Sequence, residues 1–227
     1  MKKTALLIMI ITIFSKVFGF GREIALSYLY GASSITDAYL ISTTIPGVIF
    51  GFIATGLVAG YIPMYSKIVQ NVGEKEAIEF TNNLINVIIV FCAFIVLASL
   101  LFTDKIVKIF ALGFEGKTLS LSIQFTRITL IAIFFIGIVT VFKGFLQIKG
   151  NFIIPSLLGL PLNIFVFISI ILSFYTNILV LAVGYVIAII SELLLMIPYI
   201  RKNKYKYTLK IDLKNSYMGK LAYIALP

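Results

Sequence analysis

The sequence predicts an all-α polytopic membrane protein: six transmembrane helices forming one lobe, followed by the start of a seventh. Three observations predict this. Hydrophobic residues make up 60% of the 227 positions and mean hydropathy is +1.08, against roughly 45–50% apolar content in soluble domains. Several apolar runs exceed the ~18–20 residues needed to cross a bilayer. The cations between those runs are unequally shared, which is how a multi-pass chain is oriented.

The first helix is expected over residues 4–30. Its opening, "MKKTALLIMIITIF", resembles a signal peptide, but no small-x-small cleavage site follows, so it reads as a retained span. The second is expected over residues 36–65. It opens with "SSITDAYL", where Ser34 and Asp37 have capping-box spacing, and Pro46 and Pro63 are expected to interrupt it. The third covers 80–102, the fourth 119–148, the fifth 152–174 with Pro155 and Pro161, and the sixth 177–200. Spans of this length must tilt or protrude beyond the hydrocarbon. Residues 1–200 thus form the lobe, 201–216 a basic cytoplasmic loop, and 217–227 the first part of another apolar run.

Charge orients the lobe. Lys105, Lys108 and Lys117 lie between the third and fourth helices. On the other side lie Lys2, Lys3, Lys67, Lys75, Lys149, Arg201, Lys202, Lys204, Lys206, Lys210, Lys214 and Lys220. The N-terminus and the segment after the sixth helix are therefore cytoplasmic. Tyr205 and Tyr207 interleave with lysines, a pattern also found in nucleic-acid binders. Beside a helix end, such a stretch reads instead as an orienting signal that touches anionic lipid, and no nucleic-acid partner is expected.

Composition also excludes chemistry. The chain has no His and no Trp, so His-based metal sites and triads are absent. Its single Cys, Cys92, lies in an apolar run and reads as a buried, inert thiol, and one Cys makes no intrachain disulfide. "GFGREIAL" is Gly-x-Gly without a third glycine and with no preceding strand, so it is no nucleotide fingerprint. No nucleophile–base pair is present. The expectation is a non-enzyme with no metal and no organic cofactor.

What demands explanation is charge at hydrocarbon depth, which costs ~2.5–3.5 kcal/mol per residue on insertion scales unless it is solvated or paired. Lys16 lies ~18 Å and Arg22 ~27 Å along the first helix. Glu23 is seven residues from Lys16 and shares its face. Asp37, at the outer start of the second helix, is either a dipole-favoured first-turn carboxylate or a partner for Arg22. Arg127 lies ~12 Å below the start of the fourth helix, near the level of Arg22. Lys143 is near an inner end and can snorkel. Glu192 lies ~22 Å down the sixth helix, where a carboxylate pairs with a cation, stays protonated or binds a coupling ion. A mainly cationic wet interior suits an anionic substrate. The bland alternative is a set of ion pairs that hold helices together.

These residues carry a resemblance. Ser15-Lys16-Val17-Phe18-Gly19-Phe20, Arg22-Glu23, Tyr30-Gly31-Ala32 and Thr36-Asp37-Ala38-Tyr39 resemble the amino-terminal signature of the lipid II flippase (MurJ) family, a branch of the multidrug/oligosaccharidyl-lipid/polysaccharide exporter superfamily. "FTRITL" and "KGNFIIPSLLGLPLNI" look like later family segments. The resemblance implies the N-terminal six-helix lobe of a two-lobe exporter of the bacterial cytoplasmic membrane. It implies rocking that exposes a lipid-linked diphosphate glycan, the peptidoglycan precursor, to each side in turn. Lys16, Arg22, Glu23, Asp37 and Arg127 would be substrate-facing, with Glu192 a position for a coupling cation. The second lobe would come from the same chain or a partner.

There are departures from the pattern. Phe50 and Gly51 stand where the family often has two arginines, Thr55 where it often has Glu, Glu192 where it often has Gln, and Lys16 where Arg is common. They keep open an exporter of another lipid-linked polysaccharide and a cation-coupled multidrug exporter. A membrane scaffold or remnant that transports nothing is the alternative of another class.

Overall fold

The computed structural model describes residues 2–212 and 216–225. Among the described residues ten helices follow one another: α1 (Lys2–Tyr30), α2 (Ser34–Asn71), α3 (Glu74–Leu101), α4 (Thr103–Phe110), α5 (Gly116–Thr129), α6 (Ala132–Ile148), α7 (Ile153–Leu157), α8 (Gly159–Tyr175), α9 (Leu179–Lys202) and α10 (Ser216–Ala225). Five spans are long and apolar enough to cross a membrane: α1, α2, α3, α9 and the α7–α8 run. The pair α5 and α6, bent by 46°, makes a sixth. The six expected spans are therefore present, with different breaks.

Pro46 and Pro63 do not interrupt α2, which runs through both. A helical proline leaves the carbonyl four residues earlier without its donor. For Pro46 that carbonyl is Ser42's, and the Thr129 hydroxyl at the end of α5 donates to it at 2.7 Å. A neighbouring hydroxyl thus restores the lost bond, as apolar surroundings require. The fourth expected helix instead bends between Thr129 and Ala132, where no Pro or Gly stands. In the fifth, the break at Leu158 falls where Pro161 offers no N–H to the Leu157 carbonyl.

Capping also differs from expectation. The N-cap of α2 is Ser33, whose hydroxyl accepts from the Thr36 N–H, while Ser34 accepts from the Thr118 hydroxyl at 2.8 Å. Gly31, at φ 60, ends α1 in the left-handed region that glycine tolerates. The short α4, absent from the sequence reading, tucks Thr103 and Val107 inward.

Three apolar clusters hold the lobe. The largest joins α2, α3, α4, α6 and the end of α9 around Phe50, Tyr61, Phe80 and Phe145, and reaches from Val107 of α4 to Tyr205 and Leu221 in the segment after α9. The second joins α1, α2, α5, α8 and α9 around Leu26, Tyr39, Phe125 and Ile170, and a small third holds Ala132 of α6 against Val186 and Ile189 of α9. Lys149 ties the cytoplasmic ends together. Its ammonium lies 2.5 Å from Glu74 and over the rings of Tyr65 and Phe145. Burial works against that ammonium, but the bonds and charges of Glu74 and Tyr65 outweigh it and hold its pKa above the ordinary lysine range.

Candidate functional site

α1 is the most sparsely embedded span: Val17, Phe20 and Tyr28 are exposed along it. It is fixed through small residues against α8. Asn163 Nδ2 donates to the Ser15 carbonyl at 2.9 Å, and its side chain lies beside Gly19. Gly159 is the closer approach, since a Cβ there would overlap the Ser15 hydroxyl. This seam sets the rotation of α1. Lys16, one residue step (~100°) from Ser15, is turned off the seam. It is exposed and forms no ion pair among the described residues.

Arg22 and Glu23 form a pair with each other. Nη2 and Nε of Arg22 both donate to Glu23 Oε1, at 2.6 and 3.2 Å. The side chains are 26% and 46% exposed, so the pair lies open at the surface of the lobe. Arg22 also lies within electrostatic range of two tyrosines, Tyr39 of α2 and Tyr185 of α9. Two turns along α9 from Tyr185, on the same face, stands Glu192. It is half-buried, influences Tyr185 and is influenced by Lys143 of α6. Polar groups of α1, α2, α9 and α6 thus lie within electrostatic range of their neighbours in this series, which defines a polar track.

Two sequence candidates stand apart from this track. Asp37 occupies the exposed first turn of α2, the dipole-favoured position, and Arg22 is engaged by Glu23 instead. Arg127 reaches Asp104 of α4 at 3.5 Å, with both side chains more than half exposed. Its pairing joins α5 to α4 at the outer end, away from the charges of α1. Conversely, the sequence reading passed over Tyr39, Tyr185 and Asn163. The seven-residue spacing of Tyr185 and Glu192 was a usable signal; nothing local marked Asn163.

Arg22 uses two of its donor nitrogens on one carboxylate oxygen, leaving donors for another oxyanion. Lys16 offers an unengaged ammonium. Among the described residues no group of three or more His, Cys, Asp or Glu is placed to hold a metal.

Comparison with known proteins places the fold. A family model described as lipid II flippase MurJ matches residues 26–227. The chain is 28% identical over 178 residues to a probable lipid II flippase MurJ of Aquifex aeolicus, covering 77% of this chain and 35% of that protein. It is 29% identical over 219 residues to one from Buchnera aphidicola subsp. Schizaphis graminum (94% and 43%). It is 27% identical over 207 residues to lipid II flippase MurJ of Thermosipho africanus (91% and 43%). The chain thus spans well under half the length of these relatives. A solved lipid II flippase MurJ in an inward closed conformation superposes with TM-score 0.80 at 24% identity, over 97% of this chain and 47% of that one. A superfamily transporter of Pyrococcus furiosus superposes with TM-score 0.72 at 16% identity, over 100% and 51%.

Proposed function

The chain belongs to the lipid II flippase MurJ family, and from that premise we propose that it supplies the N-terminal, substrate-facing lobe of a transporter. The cargo is a polyprenyl-diphosphate glycan, the peptidoglycan precursor lipid II. The membrane is the bacterial cytoplasmic membrane. The work is translocation, with no bond made or broken.

The observation that carries the reading is the partly exposed Arg22–Glu23 pair on α1, with Lys16 exposed and in no ion pair among the described residues on the same helix. In the empty lobe Glu23 serves as a stand-in anion, so that Arg22 is never bare at hydrocarbon depth. An arriving diphosphate competes for the guanidinium, which binds oxyanions through paired N–H groups. Lys16, ~9 Å further toward the cytoplasm along the helix axis, meets the same headgroup as a point charge. Glu192, between Lys143 and Tyr185, is the position for a coupling proton or cation. Alternating exposure needs a second lobe, from the same chain or a partner.

The test is complementation of a flippase-depleted bacterium by the complete gene, wild type against Arg22→Ala and Glu23→Ala. Loss of rescue by Arg22→Ala, with lipid II accumulating, is expected; equal rescue removes Arg22 from the mechanism. One observation favours a second cargo. Phe50, where relatives often carry an arginine, is fully buried in the core, so fewer cations surround the substrate. Rescue of a polysaccharide-exporter mutant and not of the flippase-depleted strain would select that reading.

A further inference from the structure

α3 is covered differently toward its two ends. Near its start, residues 205–212 cross it in extended form, a strap held by three asparagines that grip mainly backbone. Asn82 Nδ2 donates to the Lys206 carbonyl and the Thr208 hydroxyl, at 2.9 and 3.0 Å. Asn86 Nδ2 donates to the carbonyls of Thr208 and Lys210, at 3.2 and 3.0 Å. Asn83 brackets Asp212, giving to its carbonyl at 2.7 Å and accepting from its N–H at 2.8 Å. The hydroxyls of Tyr205 and Tyr207 donate to the carboxamide oxygens of Asn82 and Asn86. Extended backbone that carries exposed Lys206 and Lys210 belongs outside the hydrocarbon. The strap therefore marks one face of the membrane, at about the level of Asn86.

Beyond the strap, α3 shows an exposed apolar stripe. Val90, Phe94, Leu97 and Leu101 are all exposed, and their spacing of four, three and four residues sets them on one side of the helix. From Asn86 to Leu101 is ~22 Å of helix, against a hydrocarbon thickness of ~30 Å. α3 thus ends short of the far face of the hydrocarbon, and α4 starts after a single residue, Phe102. The level of α4 is therefore that of the far boundary.

The three sides of α4 differ. Thr103 and Val107 are buried against the lobe. Asp104 and Lys108 are exposed on a second side, where Asp104 meets Arg127 of α5. On the third side Phe102 and Ile109, seven residues apart, are 52% and 71% exposed. Lys105 shares that side, with its ammonium 5.4 Å from the centre of the Phe102 ring, as a lysine that snorkels from an apolar surface does. Leu112, in the turn after α4, is 88% exposed. Bare apolar side chains at this level, continuous with the stripe of α3 and edged by lysines, suit the boundary between lipid headgroups and acyl chains.

We propose that α4 is an interfacial anchor, docked on the lipid leaflet at the membrane face opposite the strap. Phe102, Ile109 and Leu112 enter the upper acyl chains, and the Lys105 ammonium stays at the level of the phosphates. The anchor uses none of the charges on α1, so it stands apart from the cargo reading.

The experiment places one nitroxide at a time on the complete gene product, at Ile109→Cys, Leu112→Cys, Lys108→Cys or Leu97→Cys. Cys92 is buried and is kept; reactive cysteines elsewhere are replaced first. The protein is reconstituted alone and sparsely in vesicles of phosphatidylglycerol and phosphatidylcholine. Spin relaxation then reads contact with oxygen, which dissolves in acyl chains, and with a nickel chelate, which stays in water. Leu97→Cys supplies the hydrocarbon value. Labels at 109 and 112 are expected ~5–10 Å inside the phosphate level, with an oxygen-to-nickel ratio about fivefold or more above that at 108, on the polar side. Nickel contact at 109 and 112 equal to that at 108 overturns the proposal, because that side then faces water. Shielding of both labels from oxygen and nickel alike also overturns it, because protein then covers the side, whether a second lobe or a second copy.

Discussion

Replacing Thr129 by Val tests how α2 survives Pro46. Valine keeps the shape and deletes the hydroxyl that donates to the Ser42 carbonyl at 2.7 Å. Ser42 and Thr129 are both 0% exposed, so no water replaces the donor. An orphaned buried carbonyl costs about 1–3 kcal/mol, taken here as about 2 kcal/mol. For a chain of this size that lowers the unfolding midpoint by about 4–8 °C, measured by thermal unfolding in detergent. The decisive arm is Pro46→Ala, which returns an N–H to position 46 and offers the Ser42 carbonyl an ordinary helical donor. In that background Thr129→Val is expected to cost less than about 0.5 kcal/mol, leaving a coupling energy above ~1 kcal/mol. An equal loss in both backgrounds refutes the claim that Thr129 stands in for the donor Pro46 lacks.

Lys149→Ala removes the Glu74 pair and two ring contacts and is expected to cost about 1–2 kcal/mol in the same melts. Because the pKa of Lys149 is raised, its contribution is complete below the ordinary lysine value and fades only as pH rises through the higher folded one. The wild type–variant difference is therefore expected to be flat from pH 6 to 9, and a loss of the difference within that window would contradict the pairing. Arg127→Ala and Asp104→Ala, whose pair is long and exposed, should each cost less than ~1 kcal/mol, with a double-mutant coupling below ~0.5 kcal/mol; a larger coupling would assign the pair a structural role. Gly184→Ala drives a Cβ into the Ser169 side chain where α8 meets α9. A loss of about 1–3 kcal/mol is expected, largely recovered by adding Ser169→Gly; failure to recover would place the clash elsewhere.

Hydropathy made the six spans readable, because it follows from the membrane as solvent. So did the charges of α1. What they pair with was not readable. Asp37 looked like a partner for Arg22, yet Glu23, one residue away, closes the pair. Proline rules misplaced the breaks at Pro46 because the compensating donor, Thr129, is 83 residues distant in sequence. The same rules account for the break before Pro161, which offers no N–H to the Leu157 carbonyl. The bend between α5 and α6 has no local sign. Asn82, Asn83 and Asn86 stand at the edge of an apolar run with no local sign of their role, since their partners lie more than 120 residues away. Tyr39 sat within the signature itself, but nothing in one sequence says that α9 will bring Tyr185 and Glu192 into line with it.

The asparagine grip reads the strap almost without regard to spelling. Five of its contacts take carbonyls or an amide that any residue offers, and only at position 212 is an N–H required, so proline is barred there and tolerated by the carbonyl contacts elsewhere. What the grip does count is length. Apart from Tyr207 and Thr208, whose hydroxyls meet Asn86 and Asn82, substitutions along 206–211 can drift while the path is kept, but losing or gaining one residue shifts every downstream peptide group off its carboxamide. In this connection, insertions and deletions are the mutations that selection should refuse.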